Sequence, residues 1–339
     1  MMDLNLLWFG LLGVLLSGYA ILDGFDLGVG MLHLRARTDV ERRTFMNSIG
    51  PLWDGNEVWL VTFGGALFAA FPHAYATAFS AFYTPFIVLL FALIFRAVSM
   101  EFRSKHASDA WRRAFDVGFF ASSGLATFLF GVAVGNAMMG LPIGPDMEFQ
   151  GGLLDLLRPY GLLVGVLAVA TFLMHGSIYL YMKTEGELQT RVHGWMWRAF
   201  FVFIAVYAIT TITTLAAIPH AIRNFKEYPW AWAVVVLNIL AIANVPRAIR
   251  RGRPLDAFVS SSAAIAALVF LFGMALFPNL IYSNLDPGWS LTIYNAASSQ
   301  KTLSIMRTIA LVGMPFVLAY TIVIYWTFRG KVQLGKFSY

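Results

Sequence analysis

The first long apolar stretch of the chain decides the class of fold, and residues 5–31 read NLLWFGLLGVLLSGYAILDGFDLGVGM. At a rise of about 1.5 Å per residue, a helix of this length exceeds the hydrocarbon core of a bilayer, which is about 30 Å thick. The stretch is apolar on every face, whereas a strand of a membrane β-barrel alternates apolar and polar residues. It therefore predicts a transmembrane helix.

The composition extends that conclusion to the whole chain of 339 residues. Hydrophobic residues make up 59% of the chain and charged residues only 12%, which is about half of the usual charged share in soluble domains. A soluble core cannot bury so much apolar surface, and a disordered chain would be far more polar. We therefore expect a polytopic membrane protein built from helices.

Apolar stretches long enough to cross a bilayer recur along the chain, and they predict about nine transmembrane helices packed as an all-α bundle. No long soluble segment separates them, so we expect one integral-membrane domain over residues 1–339. The seventh span is the least regular, because Asn238, Asn244 and Pro246 interrupt it. The predicted spans are residues 5–31, 50–71, 77–99, 115–141, 160–182, 199–219, 230–249, 257–277 and 304–327.

The distribution of Lys and Arg predicts how these helices are oriented. Of the 24 basic residues, 18 fall on one side of the predicted layout and 5 on the other, while Arg96 lies inside the third span. Because short cytoplasmic loops are rich in Lys and Arg, we expect the N-terminus outside and the C-terminus in the cytoplasm. The net charge of +6 then reflects loop charge and not nucleic-acid binding. The basic segments are residues 32–49, 100–114, 183–198, 247–253 and 329–336.

Ionisable residues inside the predicted spans are candidates for function, because each costs a few kcal/mol in lipid. Two pairs of acids lie one helical turn apart near the cytoplasmic ends of the first two spans, and three charged residues end the third. They are Asp23, Asp26, Asp54, Glu57, Arg96, Glu101 and Arg103. One interpretation is a framework of ion pairs between helices. The other is a proton path, since a carboxylate in a low-dielectric environment can hold a transferable proton.

Metal and cofactor chemistry has few candidate ligands in this chain. It contains no cysteine, which excludes thiolate-bound metal, iron–sulfur clusters and disulfides. Of the six histidines, only His175 lies well inside a span, and no two histidines stand four residues apart. We therefore predict no metal site, no haem held by this chain's own ligands and no catalytic residue acting alone.

Glycines inside the spans predict close approach between helices, because a residue without a side chain lets two backbones meet. They cluster in the first, second and fourth spans, at Gly10, Gly13, Gly18, Gly24, Gly28, Gly30, Gly64, Gly65, Gly131 and Gly135.

Several of these motifs, in this order, resemble subunit II of the cytochrome bd quinol oxidases. The acids of the first two spans belong to DGFDLGVG at residues 23–30 and GPLWDGNEVWL at residues 50–60. The resemblance continues in GGALFAAFP at residues 64–72, FRAVSMEFR at residues 95–103 and GVAVGN at residues 131–136.

The resemblance implies a respiratory complex in the bacterial cytoplasmic membrane that oxidises quinol, reduces O2 to water and generates a proton motive force. Subunit I would carry two b haems and haem d, and this chain would be its haem-free partner, similar in fold to it. A small single-span accessory subunit and a structural quinone are further expectations.

For individual residues, the resemblance implies that Asp26 and Asp54 form part of a proton route from the cytoplasm, with Asp23 and Glu57 as further candidates. Arg96, Glu101 and Arg103 are assigned to the ion-pair framework.

Two other classes of function remain open from the residues alone. A proton-coupled transporter would also contain buried carboxylates, although the sequence has no inverted repeat and its acids lie near one membrane face. A purely structural partner of the haem-bearing subunit differs from the oxidase interpretation only in whether its acids carry protons.

Overall fold

A computed structural model describes residues 3–335, and it is mostly helical. Five short 3₁₀ turns and a hairpin of strands β1 (Asn279–Ile281) and β2 (Leu291–Thr292) accompany the helices. The α-helices of the described residues are α1 (Leu4–Leu32), α2 (Asp39–Ile49), α3 (Trp53–Ala70), α4 (Pro72–Ala81), α5 (Tyr83–Phe102), α6 (Asp109–Met139), α7 (Pro159–Lys183), α8 (Gly186–Ala217), α9 (His220–Glu227), α10 (Trp232–Arg250), α11 (Pro254–Leu276) and α12 (Gln300–Thr327).

The prediction of an all-α, multi-pass membrane bundle is confirmed. Within residues 3–335, eight helices are long and apolar enough to cross a membrane, namely α1, α5, α6, α7, α8, α10, α11 and α12. The second predicted span corresponds to α3, which is not among the eight. It has 18 residues, and its first turns carry Asp54, Asn56 and Glu57, so its apolar part is short.

Helix α3 nevertheless runs antiparallel to α1 along most of its length. Near its start, the Asn56 side chain donates a hydrogen bond of 3.3 Å to the Leu22 carbonyl. Near its end, Ala70 packs into the same apolar cluster as Trp8 and Leu12. The polar start of α3 is therefore brought beside the acidic part of α1.

The third predicted span is interrupted in the structure. Helix α4 ends at Ala81, Phe82 leaves the helical conformation, and α5 begins at Tyr83. Pro85 explains the break, because proline cannot donate to the carbonyl four residues earlier and its ring collides with that carbonyl. Proline does not break every helix here, since α10 continues through Pro246.

The centre of the bundle is α1, which packs against α3, α6, α7 and α11. Its closest approach is to α7. A Cβ added to Gly28 would lie 2.1 Å from the Phe172 carbonyl oxygen and 2.8 Å from the Gly176 Cα atom. Glycine packing is thus confirmed there. The prediction is wrong within this chain for four glycines, where an added Cβ meets no described atom within 4 Å, namely Gly10, Gly13, Gly64 and Gly65.

The five basic segments meet at one end of the bundle, which we call the basic end. Contacts that join them include the ion pair between Arg191 and Glu41 and the Lys331 ammonium, 2.6 Å from the Thr184 carbonyl. The Arg250 guanidinium lies over the ring of Trp197, 5.4 Å from its centre. Lys336, the last residue of these segments, lies outside the described residues.

The opposite end holds the N-terminus of α1 and two long connections, residues 140–158 and 277–299. The Trp8 indole donates to the Leu303 carbonyl over 3.0 Å, and the Ser298 amide donates to the Ala70 carbonyl over 2.8 Å. The two ends are therefore separated as the positive-inside pattern requires. Which end faces the cytoplasm stays a prediction.

Candidate functional site

Three carboxylates and one arginine gather where α1, α3 and α5 meet, toward the basic end. Asp23 and Asp26 share one face of α1 because they are three residues apart. Both are completely buried. Glu57 arrives from the antiparallel α3, and Arg96 from α5. We call these four residues the carboxylate cluster.

Arg96 is the centre of the carboxylate cluster. It is completely buried, and its Nη2 lies 2.7 Å from Asp23 Oδ1 and 2.8 Å from Glu57 Oε1. The Glu57 contact is also a hydrogen bond. One guanidinium thus faces two carboxylates.

Asp26 has different partners. Its Oδ2 accepts a hydrogen bond of 2.7 Å from the Asn56 side chain, and the Asn56 Oδ1 accepts one of 2.8 Å from the Tyr325 hydroxyl of α12. The second oxygen of Asp26 is buried and has no donor among the described residues. The chain from Asp26 to Tyr325 therefore joins α1, α3 and α12 through polar groups.

Exposure increases from the centre of the carboxylate cluster toward its edge. Asp23, Asp26 and Arg96 are inaccessible, while the Glu57 side chain is 26% exposed. Asp54 lies one turn before Glu57 and is exposed. No hydrogen bond or ion pair joins it to another residue of the described chain, so the structure does not bring it into the carboxylate cluster.

The remaining predicted ion-pair residues lie closer to the basic end. Arg103 is buried, and it contacts Asp116 and Asp39 instead of the carboxylate cluster. Glu101 lies half-buried in the last turn of α5. Arg35 lines a cavity with other arginines.

A second buried network surrounds Asp116, which we call the Asp116 hub. Asp116 Oδ1 lies 2.6 Å from His33 Nε2 and 2.6 Å from Arg103 Nε, and Oδ2 lies 2.9 Å from Arg42 Nη1. Arg103 also donates to Asp39 over 2.7 Å. The Asp116 hub ties α6 to α2 and to the two segments that follow α1 and α5.

The sequence did not predict the roles of Asn56, Tyr325 and Asp116. Asn56 had a signal, because it is a polar residue between the two acids of the second span. Asp116 also had one, as a lone acid at the start of an apolar span. Tyr325 had none, because only the tertiary structure brings α12 beside α3.

The two buried histidines of this chain are held by hydrogen bonds within it. His175 is completely buried, but its Nδ1 lies 2.7 Å from the Ser261 hydroxyl and its Nε2 lies 3.1 Å from the Ile21 carbonyl, so both nitrogens have partners in the chain. His33 is held in the Asp116 hub. Within residues 3–335, no three His, Cys, Asp or Glu side chains converge as a metal site would require.

Comparison with known proteins gives consistent matches over nearly the whole chain. The family model described as cytochrome bd terminal oxidase subunit II matches residues 4–328. Cytochrome bd-I ubiquinol oxidase subunit 2 of Escherichia coli K12 is 37% identical over 360 aligned residues, which cover 97% of this chain and 95% of that protein. Cytochrome bd ubiquinol oxidase subunit 2 of Bacillus subtilis is 35% identical, with 98% of each chain covered.

The fold is also similar to that of a solved structure. A chain of the bd oxidase from Geobacillus thermodenitrificans superposes with a TM-score of 0.81 at 16% identity, covering 96% of this chain and 99% of that one. At that identity, the likeness concerns the arrangement of helices alone.

Proposed function

The chain belongs to the cytochrome bd terminal oxidase subunit II family, and from this premise we propose that its carboxylate cluster conducts protons from the cytoplasm toward the site of O2 reduction. As a member of this family, it is a multi-pass protein of the bacterial inner membrane. It is one subunit of a quinol oxidase that reduces O2, and its complex contains haem and a partner subunit I. Because the chain belongs to this family, the alternative of a proton-coupled transporter no longer applies.

The observation that carries the proposal is the imbalance of buried charge. Asp23 and Glu57 lie within ion-pair distance of the single guanidinium of Arg96, and the buried Asp26 lies one helical turn from Asp23 on the same face of α1. Burying an uncompensated charge costs several kcal/mol, so the carboxylate cluster is most stable when it also holds protons. Carboxyl groups that share protons over short distances can pass them on.

The gradient of exposure supports a direction of transfer. Asp54 is the exposed entrance, Glu57 the partly exposed intermediate, and Asp23 and Asp26 the buried carriers. Arg96 keeps the carboxylates close together without neutralising all of them. The hydrogen bonds from Asn56 and Tyr325 orient Asp26, and they leave one of its oxygens free to take up a proton.

The proposal also assigns the cofactors, subunits and substrates of the complex. Because the two buried histidines of this chain already bond to other residues of it, we assign the two b haems and haem d to subunit I. This chain stabilises that subunit, with quinol and O2 as substrates of the complex. A single-span accessory subunit and a structural quinone are further proposed components, and residues 1–339 form one integral-membrane domain.

The test replaces Asp26 by asparagine in the purified complex. The side-chain amide of the Asp26→Asn variant keeps an oxygen that can accept from Asn56 but cannot carry a proton. We expect quinol-dependent O2 uptake to fall by about a hundredfold, the low end for losing a proton-transfer group, with haem content unchanged. Asp54→Asn should lower turnover less, because water reaches Glu57 directly.

Asp109→Asn is the matched control, since this acid is exposed in the first turn of α6 and should leave O2 uptake unchanged. Normal turnover in a fully assembled Asp26→Asn complex would refute the proton route. Loss of haem from the variant would identify Asp26 as a residue needed for assembly.

A further inference from the structure

A cavity of about 530 Å³ opens at the basic end between α8 and the segment after α1. Four arginines converge on it. Arg35 and Arg37 come from the segment that leaves α1, and Arg191 and Arg198 come from one face of α8, about two turns apart. The rest of its lining is Leu34, Thr190, Gly194 and Trp195. We call it the arginine cavity.

Three of the four guanidinium groups have no acidic partner among residues 3–335. Arg191 pairs with Glu41, which also accepts from the Arg37 backbone N–H over 2.7 Å. None of the side chains of Arg35, Arg37 and Arg198 forms an ion pair with a residue in the described part of the chain. The arginine cavity therefore has an excess of positive charge even after Glu41 is counted.

The arginine cavity lies at the boundary between water and lipid. Arg198 is the last charged residue of α8, and the helix continues with Ala199 and Phe200 into an apolar segment. Beyond it, exposed apolar side chains cover α8, including Phe201, Val202 and Ile209. The arginines are thus at headgroup depth, and the apolar surface that begins beside them is suited to an acyl chain.

One wall of the arginine cavity is held in place by packing. The Trp195 indole meets the ring of the buried Phe45 of α2 edge-on, with ring centres 6.3 Å apart. Tryptophan commonly lies at the level of lipid headgroups. Gly194 leaves open space in the arginine cavity, because a Cβ built there meets no described atom within 4 Å.

We propose that the arginine cavity binds the phosphodiester headgroup of an anionic membrane phospholipid. Guanidinium groups bind phosphate oxygens through paired hydrogen bonds. Basic cavities between transmembrane helices on the cytoplasmic side suit anionic headgroups in general. The excess charge selects against zwitterionic lipids, whose own cation would be repelled. The volume accommodates a glycerol phosphodiester.

The first experiment counts lipids in the purified oxidase complex by native mass spectrometry after a fixed detergent wash. The test variant carries Arg35→Gln and Arg198→Gln, which leaves the Arg191–Glu41 pair intact. The control carries Arg247→Gln and Arg251→Gln. These two arginines lie outside the cavity lining, and replacing them removes the same amount of charge from the same end of the bundle. We expect wild type and control to retain one more phosphatidylglycerol or cardiolipin per complex than the test variant.

A variant that fills the arginine cavity tests whether lipid binding needs the cavity itself and not only its charge. Gly194→Leu places a side chain in the arginine cavity without changing any charge, and it should also lose the retained lipid. Equal lipid retention by wild type and both test variants would overturn the proposal. An equal loss in the control would overturn it too, because it would show diffuse attraction to the basic end.

A second measurement distinguishes a lipid from free phosphate. The delipidated wild-type complex should gain several degrees in melting temperature when phosphatidylglycerol is added, and the Arg35→Gln, Arg198→Gln variant should gain less than one. Phosphatidylcholine should have no effect on either. An equal gain from millimolar inorganic phosphate would overturn the lipid assignment in favour of a phosphate site.

Discussion

Asp116 accepts contacts from three cationic or hydrogen-bonding side chains while it is almost completely buried. Replacing it by Asn removes the charge that compensates the buried Arg103. Because removing one partner of a buried ion pair costs about 3–5 kcal/mol, we expect Asp116→Asn to lower the melting temperature of the purified complex by several degrees. Differential scanning fluorimetry of the detergent-solubilised complex measures this change.

The control for Asp116 is on the same helix. Asp109→Asn removes an identical charge from the exposed first turn of α6, where a helix-dipole contribution of about 0.3–1 kcal/mol is all that is lost. Equal melting temperatures for the two variants would mean that the Asp116 hub does not stabilise the basic end.

Glu41 makes the stability of the basic end depend on pH. Burial alone would raise the pKa of Glu41, but the Arg37 N–H and the Arg191 guanidinium outweigh burial and lower the pKa below its usual value. A lowered pKa in the folded state means that the ion pair stabilises the protein above the ordinary pKa of Glu, and that this contribution is lost as pH falls through the lowered value.

We therefore expect Glu41→Gln to reduce the melting temperature at pH 7, by an amount equivalent to about 1 kcal/mol at most for a pair of this kind. The difference from wild type should shrink as pH is lowered below 4.5. Glu187→Gln, in the exposed first turn of α8, should match wild type throughout. A difference for Glu41→Gln that is constant with pH would contradict the ion-pair explanation.

At the residue scale, spacing along a helix determined what the sequence could predict. The three-residue spacing of Asp23 and Asp26 predicts their shared face, and a lone Arg96 inside a span predicts an acidic partner. Spacing along the helices could not predict which partner each basic residue contacts. Arg103 serves Asp116 and Asp39, while Arg35 faces other arginines, because these pairings depend on how α2, α6 and α8 pack.

At the scale of helices, the contact between α1 and α7 leaves no space for an added side-chain atom. Gly28 and Gly176 meet backbone to backbone, and an added Cβ on Gly28 would be 2.1 Å from the Phe172 carbonyl oxygen. Since backbone cannot move aside as a flexible side chain can, Gly28→Ala must push the helices apart. Overpacking of this kind costs about 1–3 kcal/mol, so we expect a lower yield of assembled complex and a lower melting temperature.

Gly13→Ala is the control for Gly28→Ala, because it lies on the same helix with no described atom within 4 Å of its added Cβ. Alanine favours helix over glycine by about 1 kcal/mol, so Gly13→Ala should be neutral or slightly stabilising within this chain. A Gly28→Ala complex as stable as the Gly13→Ala complex would contradict the close approach of α1 and α7.

Helices that lie outside the apolar stretches were harder to predict than the spans. Helix α2 (Asp39–Ile49) falls in a segment interpreted as a basic loop, because its buried face of Phe45, Met46 and Ile49 is too short to stand out from its charges. The sequence also merges α4 with α5. Apolar periodicity there continues through Phe82, and only the geometry of Pro85 separates the two helices.

At the scale of the whole molecule, the uneven distribution of charge between the two ends organises both proposed sites. The carboxylate cluster, the Asp116 hub and the arginine cavity all lie toward the basic end. A proton route that starts at Asp54 requires that end to face the cytoplasm, as does a headgroup site in the cytoplasmic leaflet. Orientation therefore links the two proposals, although each has its own test.

The chain contains no cysteine, so single cysteines introduced into it report orientation without background from this subunit. Arg251→Cys marks an exposed position at the basic end, and Leu285→Cys marks the opposite end, where Leu285 is 52% exposed. With a membrane-impermeant maleimide, we expect Leu285→Cys to be labelled in right-side-out vesicles and Arg251→Cys only in inside-out vesicles. Detergent should make both positions reactive, which controls for accessibility. The reverse pattern would place Asp54 on the outer side and reject proton uptake from the cytoplasm through this subunit.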